Sequence, residues 1–313
     1  MLYGYDLVQI EEGKTLNKRK IFLTILIACL IVAITIGGAF LLYQLTKKNN
    51  ENNENNEQII IEQIEEQKRL EQEEKIKQEK IKKEEEQNNI KNSVAFTEKQ
   101  LETIENIYDD TQEKRVFLTF DDGPNMSVTP FILDLLKQEN IKATFFVLGT
   151  RAEYNPELIQ REFEEGHYIA NHGYSHVYRE IYQDTDSVFN EYNATEAVIQ
   201  DALGNPNYHS KLFRFPGGST GGYYRDIKEE AKDALRDNGI ASLDWNALSR
   251  DAEGAKTVED LVQNVIETVE DKESVVILMH DAADKILTYE ALPEIIQYLR
   301  DNGYSFKNIY DIL

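Results

Sequence analysis

The chain carries little positive charge and almost no sulfur chemistry. Its only cysteine, Cys29, stands inside an apolar run, which excludes both a disulfide framework and a thiolate metal site. Lys and Arg number 34 against 57 Asp and Glu, a net charge of −23. Without a basic face to hold phosphates, no nucleic-acid partner is expected, and polyanions in general are disfavoured. Charge of either sign disappears from one long stretch only, Ile21 to Tyr43.

That stretch has 23 residues, more than the ~20 needed to cross a bilayer as a helix. Lys14, Lys18, Arg19 and Lys20 precede it, while only Lys47 and Lys48 follow closely. The positive-inside rule therefore keeps residues 1–20 in the cytoplasm as a tail, makes 21–43 a transmembrane helix, and puts everything after residue 48 outside the cell. The rival is a cleaved signal peptide. Its apolar core is usually shorter, ~7–15 residues, and a small-x-small site should follow, which none obviously does. A retained single-pass anchor is the better reading, and an external chain without disulfides suits a Gram-positive surface.

Residues 44–112 read as a charged low-complexity stalk. They contain the Asn/Glu repeat Glu51–Glu57 and a Glu/Lys/Gln tract to about Lys91. Ile60, Ile64, Leu70, Ile76, Ile81 and Ile90 are too irregularly spaced for a sustained heptad seam, so a solvated spacer is favoured over a coiled coil and weak self-association. Residues 95–112 are left open, with a short helix packed on the following domain as one reading.

From residue 113 to 313 strand-like and helix-like segments alternate, as parallel strands joined by crossover helices must. Expected strands are Val116–Phe120, Ala143–Leu148, Tyr168–Asn171, Leu212–Phe215, Ile240–Asp244, Val275–Met279 and a short one at Tyr304–Phe306. Expected helices cover 127–139, 156–165, 185–203, 224–238, 257–271 and 288–302, with Gly166, Gly204, Gly239 and Gly303 just past four of their ends. Seven strands in about 200 residues suggest an incomplete α/β barrel; an open doubly wound sheet is the alternative that periodicity leaves standing.

Chemistry-bearing residues gather at the ends of these strands. Asp121 and Asp122 close the first, and one can hold a metal while its neighbour stays free as a base; alternatively either merely caps the next helix. His172 and His176 follow the third strand and can face one point if the segment turns helically. With one carboxylate they leave coordination positions open for water and substrate. Arg214, in Phe213-Arg214-Phe215-Pro216-Gly217-Gly218, can pin a carboxylate through its fork, or be a surface residue before a turn. Trp245 can stack on a sugar or fill a core, with Asp251 six residues beyond it. His280 ends the apolar run from Val275 and, oriented by a carboxylate, becomes a proton donor; a buried structural histidine is the plain reading. His167 and His209 have no expected role beyond structure or surface.

In order, these segments resemble the five motifs of the polysaccharide deacetylases, carbohydrate esterase family four, also called the NodB homology domain. The resemblance runs from about Arg115 to Leu313. It implies a distorted (β/α)7 barrel, one divalent metal ion, and removal of acetyl groups from polysaccharides. By that resemblance Asp121 is the general base, Asp122, His172 and His176 the metal ligands, and Arg214 the residue that holds the base. Trp245, Gly217 and Phe215 are expected to line the substrate groove, His280 to be the general acid and Asp251 to orient it. Where the family usually continues Arg-Pro-Pro-Tyr-Gly, this chain reads Arg-Phe-Pro-Gly-Gly; the amide of Gly217 remains but a tyrosine side chain is lost.

The resulting expectation is a membrane-anchored, surface-exposed, zinc-dependent deacetylase of peptidoglycan N-acetylglucosamine, with cobalt, nickel or iron(II) as alternative ions. N-acetylmuramic acid, poly-N-acetylglucosamine, chitin oligomers or acetyl xylan are the other candidate substrates. A catalytically silent glycan-binding wall module would lack a base or ligand, and none is missing. A helical zinc peptidase would need glutamate after the first histidine, where Gly173 stands.

Overall fold

The computed structural model describes residues 23–43, 63–81, 94–109, 111 and 113–313, and divides near residue 82 into two compact units. In the first unit, α1 (Leu23–Tyr43) is the one helix, among the described residues, long and apolar enough to cross a membrane. At 1.5 Å per residue it extends about 31 Å, close to the hydrocarbon thickness of a bilayer. Residues 63–81 form a second helix, α2. The expected tail 1–20, the first two residues of the expected span, and stalk residues 44–62, 82–93, 110 and 112 lie outside the described residues.

The second unit begins with α3 (Glu98–Glu105) and then alternates strands and helices. The strands are β1 (Arg115–Asp121), β2 (Thr144–Val147), β3 (Tyr168–Asn171), β4 (Leu212–Phe213), β5 (Ala241–Ser242), β6 (Ala247–Leu248), β7 (Ser274–His280) and β8 (Ser305–Lys307). The helices are α4 (Thr129–Gln138), α5 (Gly149–Tyr154), α6 (Pro156–Glu164), α7 (Tyr178–Ile181), α8 (Thr185–Leu203), α9 (Arg225–Asp237), α10 (Val258–Val269) and α11 (Ile286–Asp301), with a final 3-10 turn at Ile309–Asp311. The four glycines expected past helix ends all take left-handed φ, from 57° at Gly204 to 85° at Gly166.

Every strand pairing is parallel, in the order β5-β4-β3-β2-β1-β7-β6. Outward from β1 the order rises without reversal on one side and falls on the other. A doubly wound sheet would reverse at a switch point; this is the cyclic order of a barrel, curled and left open between β5 and β6. The distorted-barrel expectation holds, with β6 as a strand beyond the seven expected. β8 pairs with Arg115–Phe117 of β1, below β2, which pairs with Thr119–Asp121.

Alternation along β1 separates two cores. Val116, Leu118 and Phe120 pack outward beneath the helices with Ile132, Val265 and Ile295. Phe117 points into the barrel with Phe146, Ala170 and Val276, and the period of two carries Thr119 and Asp121 to the same interior. The segment left open in the sequence belongs to this core. Thr97 caps α3 through a reciprocal capping box with Gln100, and Phe96, Leu101, Ile104 and Ile107 bury themselves against Phe117 and Leu212.

Candidate active site

The register sets Asp121 directly opposite His280 at the C-terminal ends of β1 and β7. Asp121 is 2% exposed. Arg214, which follows β4 and is fully buried, crosses the interior to it: Nη1 donates to Asp121 Oδ1 and Thr119 Oγ1, both at 2.8 Å. Nε and Nη2 donate to the carbonyls of Leu243 at 2.9 Å and Asp244 at 3.0 Å, and its guanidinium lies 3.9 Å from the Phe146 ring centre. Burial raises the Asp121 carboxyl above its ordinary pKa, against the opposing pull of Arg214 and His280. Neither Asp121 nor Asp122 caps a helix: α4 is preceded by Val128 without a side-chain cap.

Asp122 turns to the same pocket because its backbone is left-handed, φ 71°, a conformation a non-glycine residue holds at a cost of about 1–3 kcal/mol. His172 and His176 reach it from a loop rather than from the helical turn the sequence allowed. Gly173 (φ 82°) and His176 (φ 58°) fold that loop back. His172 Nδ1–H donates to the Arg214 carbonyl at 2.8 Å, so its Nε2 faces the pocket with a free lone pair. Burial holds this imidazole neutral, its pKa pushed down to about 3 despite the Asp122 charge.

The Nε2 atoms of His176 and His172 stand 3.4 and 3.6 Å from Asp122 Oδ1, a buried oxygen without a hydrogen-bond partner. Among the described residues these three form the one acidic and imidazole cluster with metal-ligand spacing. Ligand atoms ~2.1 Å from a tetrahedral ion stand about 3.4 Å apart. The donor set and the orphaned oxygen therefore fit a divalent cation, and the candidate base, Asp121, remains outside that set.

His280 stands on the β7 side of Asp121. Its Nδ1–H donates to Asp251 Oδ1 at 2.8 Å and its backbone N–H to Asp251 Oδ2 at 2.7 Å; Thr288 Oγ1 donates to Oδ2 as well, at 2.8 Å. Burial disfavours the imidazolium, but the hydrogen bond and charge of Asp251, with Asp121 and Asp122 beyond, raise its pKa to about 9. Asp251 is itself buried, yet its bonds from His280 and Thr288 hold it below its ordinary pKa.

Trp245 is half-buried at the rim, its ring 3.2 Å from where a side chain on Gly218 would begin. Gly217 is exposed with φ 76°, and a Cβ there would stand 2.6 Å from the Tyr178 hydroxyl. Tyr178, from α7 just beyond His176, thus fills the space a larger residue at 217 would take. Phe215 corrects the expectation of a groove residue. It is fully buried, stacked on Tyr182 and edge-on to Phe213, so it supports the loop from behind.

Several neighbours carried no local sequence signal. Glu191 of α8 accepts the amides of Tyr174 and Ser175, and Asn171 accepts that of Gly173. Tyr182 and Lys228 donate to the carbonyls of Pro216 and Gly218. Asp281, buried beside Gly123, accepts from Thr129 at 2.5 Å. Distance along the chain from the strand ends hid Glu191, Tyr182 and Lys228; only Asn171, directly before His172, and Asp281, directly after His280, had a positional cue. His167 is structural, its Nδ1 accepting the Ala143 amide, and His209 lies at the surface near Glu196.

A family model described as polysaccharide deacetylase matches residues 108–239. A peptidoglycan-N-acetylglucosamine deacetylase of Bacillus cereus is 33% identical over 205 residues, covering 64% of this chain and 71% of its own length. A peptidoglycan-N-acetylmuramic acid deacetylase of Bacillus subtilis is 32% identical over 200 residues, covering 64% of this chain and 39% of its own length. Among solved structures, a Streptococcus mutans CE4 esterase aligns with TM-score 0.61 and 33% identity, over 70% of this chain and 94% of that one.

Proposed function

The chain belongs to the polysaccharide deacetylase family, and we propose that it hydrolyses the N-acetyl group of N-acetylglucosamine in peptidoglycan, releasing acetate and leaving a free amine. The observation that carries this is the gathering of Asp122, His172, His176 and His280 around Asp121 at the C-terminal ends of the strands, with Arg214 bonded to Asp121. The relatives' names favour peptidoglycan as the substrate. The identities of 33% and 32% to glucosamine and muramic acid enzymes are too close to separate those sugars; muramic acid is the second reading.

Asp122, His172 and His176 would hold the divalent ion, zinc in the first instance, with cobalt, nickel or iron(II) suited to the same donors. When bound, that ion supplies Lewis-acid polarisation of the acetyl carbonyl and a lowered pKa for water. Asp121, tied to Arg214 through Oδ1, keeps Oδ2 to take the proton from the attacking water. The Gly217 amide donates to the oxygen on which charge develops. His280, charged and steered by Asp251, passes the Nε2 proton to the leaving nitrogen as the C–N bond breaks. Trp245 offers a flat face to the sugar ring.

The reading extends to the whole chain: a cytoplasmic tail (1–20), an anchor (21–43), a stalk within 44–112 that spaces the enzyme from the membrane and ends before Phe96, and the deacetylase domain (113–313), whose core α3 and its flanks complete. The test is acetate release by the full-length chain from peptidoglycan and N-acetylglucosamine oligomers, with zinc or with chelator. Release that stops with chelator, with Asp121→Asn and with His176→Ala is expected. Binding of these glycans without chelator-sensitive release would overturn the assignment in favour of a silent wall module.

A further inference from the structure

The loop between the two histidines has nearly all its backbone groups held from outside. The carbonyls of Gly173 and Tyr174 accept the amides of Gly149 and Thr150 at the start of α5. The amide of Gly173 is taken by Asn171 at 2.9 Å. The next two amides, Tyr174 and Ser175, both donate to a single oxygen, Glu191 Oε2, at 2.6 and 2.7 Å. Glu191 lies in α8, and its carboxylate bonds this loop rather than either imidazole. A carboxylate accepting two charge-assisted bonds from consecutive amides is a firm anchor, and it acts one residue before His176. That anchor matters because His176 sits in a left-handed conformation, φ 58°, which is sparsely populated and persists only where the surroundings over-determine it. His172 is fixed independently, by burial and by its bond to Arg214, whereas His176 is partly exposed and depends on its loop.

We propose that Glu191 is a positioning residue for the metal site: by fixing the Tyr174 and Ser175 amides it pre-sets the backbone turn that delivers His176, and so governs metal affinity and not the hydrolytic step. This rests on the metal reading above. Partners that orient ligands typically contribute about 10–100-fold to metal affinity, and removal of the anchor is expected to fall in that range. Because the hydrogen bonds go to one oxygen, glutamine retains the needed acceptor.

The test is a zinc titration of the metal-free full-length chain against a chromophoric chelator, for wild type, Glu191→Ala and Glu191→Gln, with cobalt(II) absorption as a report on ligand geometry. Glu191→Ala is expected to weaken zinc by about tenfold or more and to alter the cobalt spectrum, with kcat at saturating zinc near that of wild type. Glu191→Gln should recover most of the affinity. Wild-type affinity in Glu191→Ala, or equal weakening in both variants, overturns the proposal, the latter because charge and not amide anchoring would then be responsible. If Glu191→Ala does not fold, Glu191→Asp, whose shorter side chain withdraws the acceptor, carries the same comparison. Failure of the metal reading itself would register differently, as a wild-type chain whose zinc binding is absent or indifferent to His176→Ala.

Discussion

Arg214→Met tests the interior of the site most severely. The guanidinium is fully buried and makes four hydrogen bonds, to Asp121, Thr119, and the Leu243 and Asp244 carbonyls. Methionine retains much of the packing on Phe146 but leaves a carboxylate at 2% exposure without its cation. Removing one partner of a buried ion pair costs about 3–5 kcal/mol. Part of that cost is electrostatic and therefore depends on pH. The Asp121 pKa is already raised by burial, and losing its main counter-charge raises it further. A carboxyl with a folded pKa above its unfolded value opposes folding once pH passes the unfolded value of ~3.9, increasingly up to the folded pKa. As pH falls towards the unfolded value the electrostatic part of the penalty shrinks, leaving the loss of bonds and packing. Urea unfolding of the metal-free chain, followed by circular dichroism at pH 4 and pH 8, should therefore show a deficit of about 3–5 kcal/mol at pH 8 and a smaller one at pH 4. A deficit independent of pH would refute the claim that Arg214 chiefly neutralises Asp121.

Two further outcomes are expected. Because His280 is the proton donor only while charged, activity should fall as pH rises through its pKa, which stands at about 9 in the metal-free site and lower beside a bound cation. Asp251→Asn removes the anion that supports the charge, so the basic limb of kcat/KM should move down by about 1–3 pH units; an unmoved limb would count against His280 as the acid. Ile104→Ala, at a fully buried position of α3, should destabilise the second unit by about 2–5 kcal/mol in urea unfolding. A change under ~0.5 kcal/mol would mean that α3 is an accessory to the fold.

The sequence was most informative where burial is two-sided. β1 and β7 are apolar through most of their length, so the abrupt appearance of Asp121 and His280 marked both strand end and site. β3 and α8 begin and end at the residues expected from their patterns. β6 has two residues, too few for any period, and was not anticipated. Nor were α5 and α7, of six and four residues, which start without a side-chain cap. Both pack against α8, a tertiary contact that no local pattern reveals. The histidine pair was read from its spacing, but the local mechanism differs: left-handed backbone at Gly173 and His176 brings the rings together. Phe215 was placed by its neighbours in the motif, yet alternation around Arg214 sends it to the opposite, buried side. Glu191 could not be found this way, because its partners are backbone amides 16 and 17 residues distant.

The central claim is best tested on the glycan itself. Peptidoglycan incubated with the full-length, zinc-supplied chain, then cut by a muramidase and weighed by mass spectrometry, should contain disaccharides that have lost one acetyl group from glucosamine, and none should arise with Asp121→Asn. Unchanged disaccharides, or acetyl loss confined to muramic acid, would contradict the account.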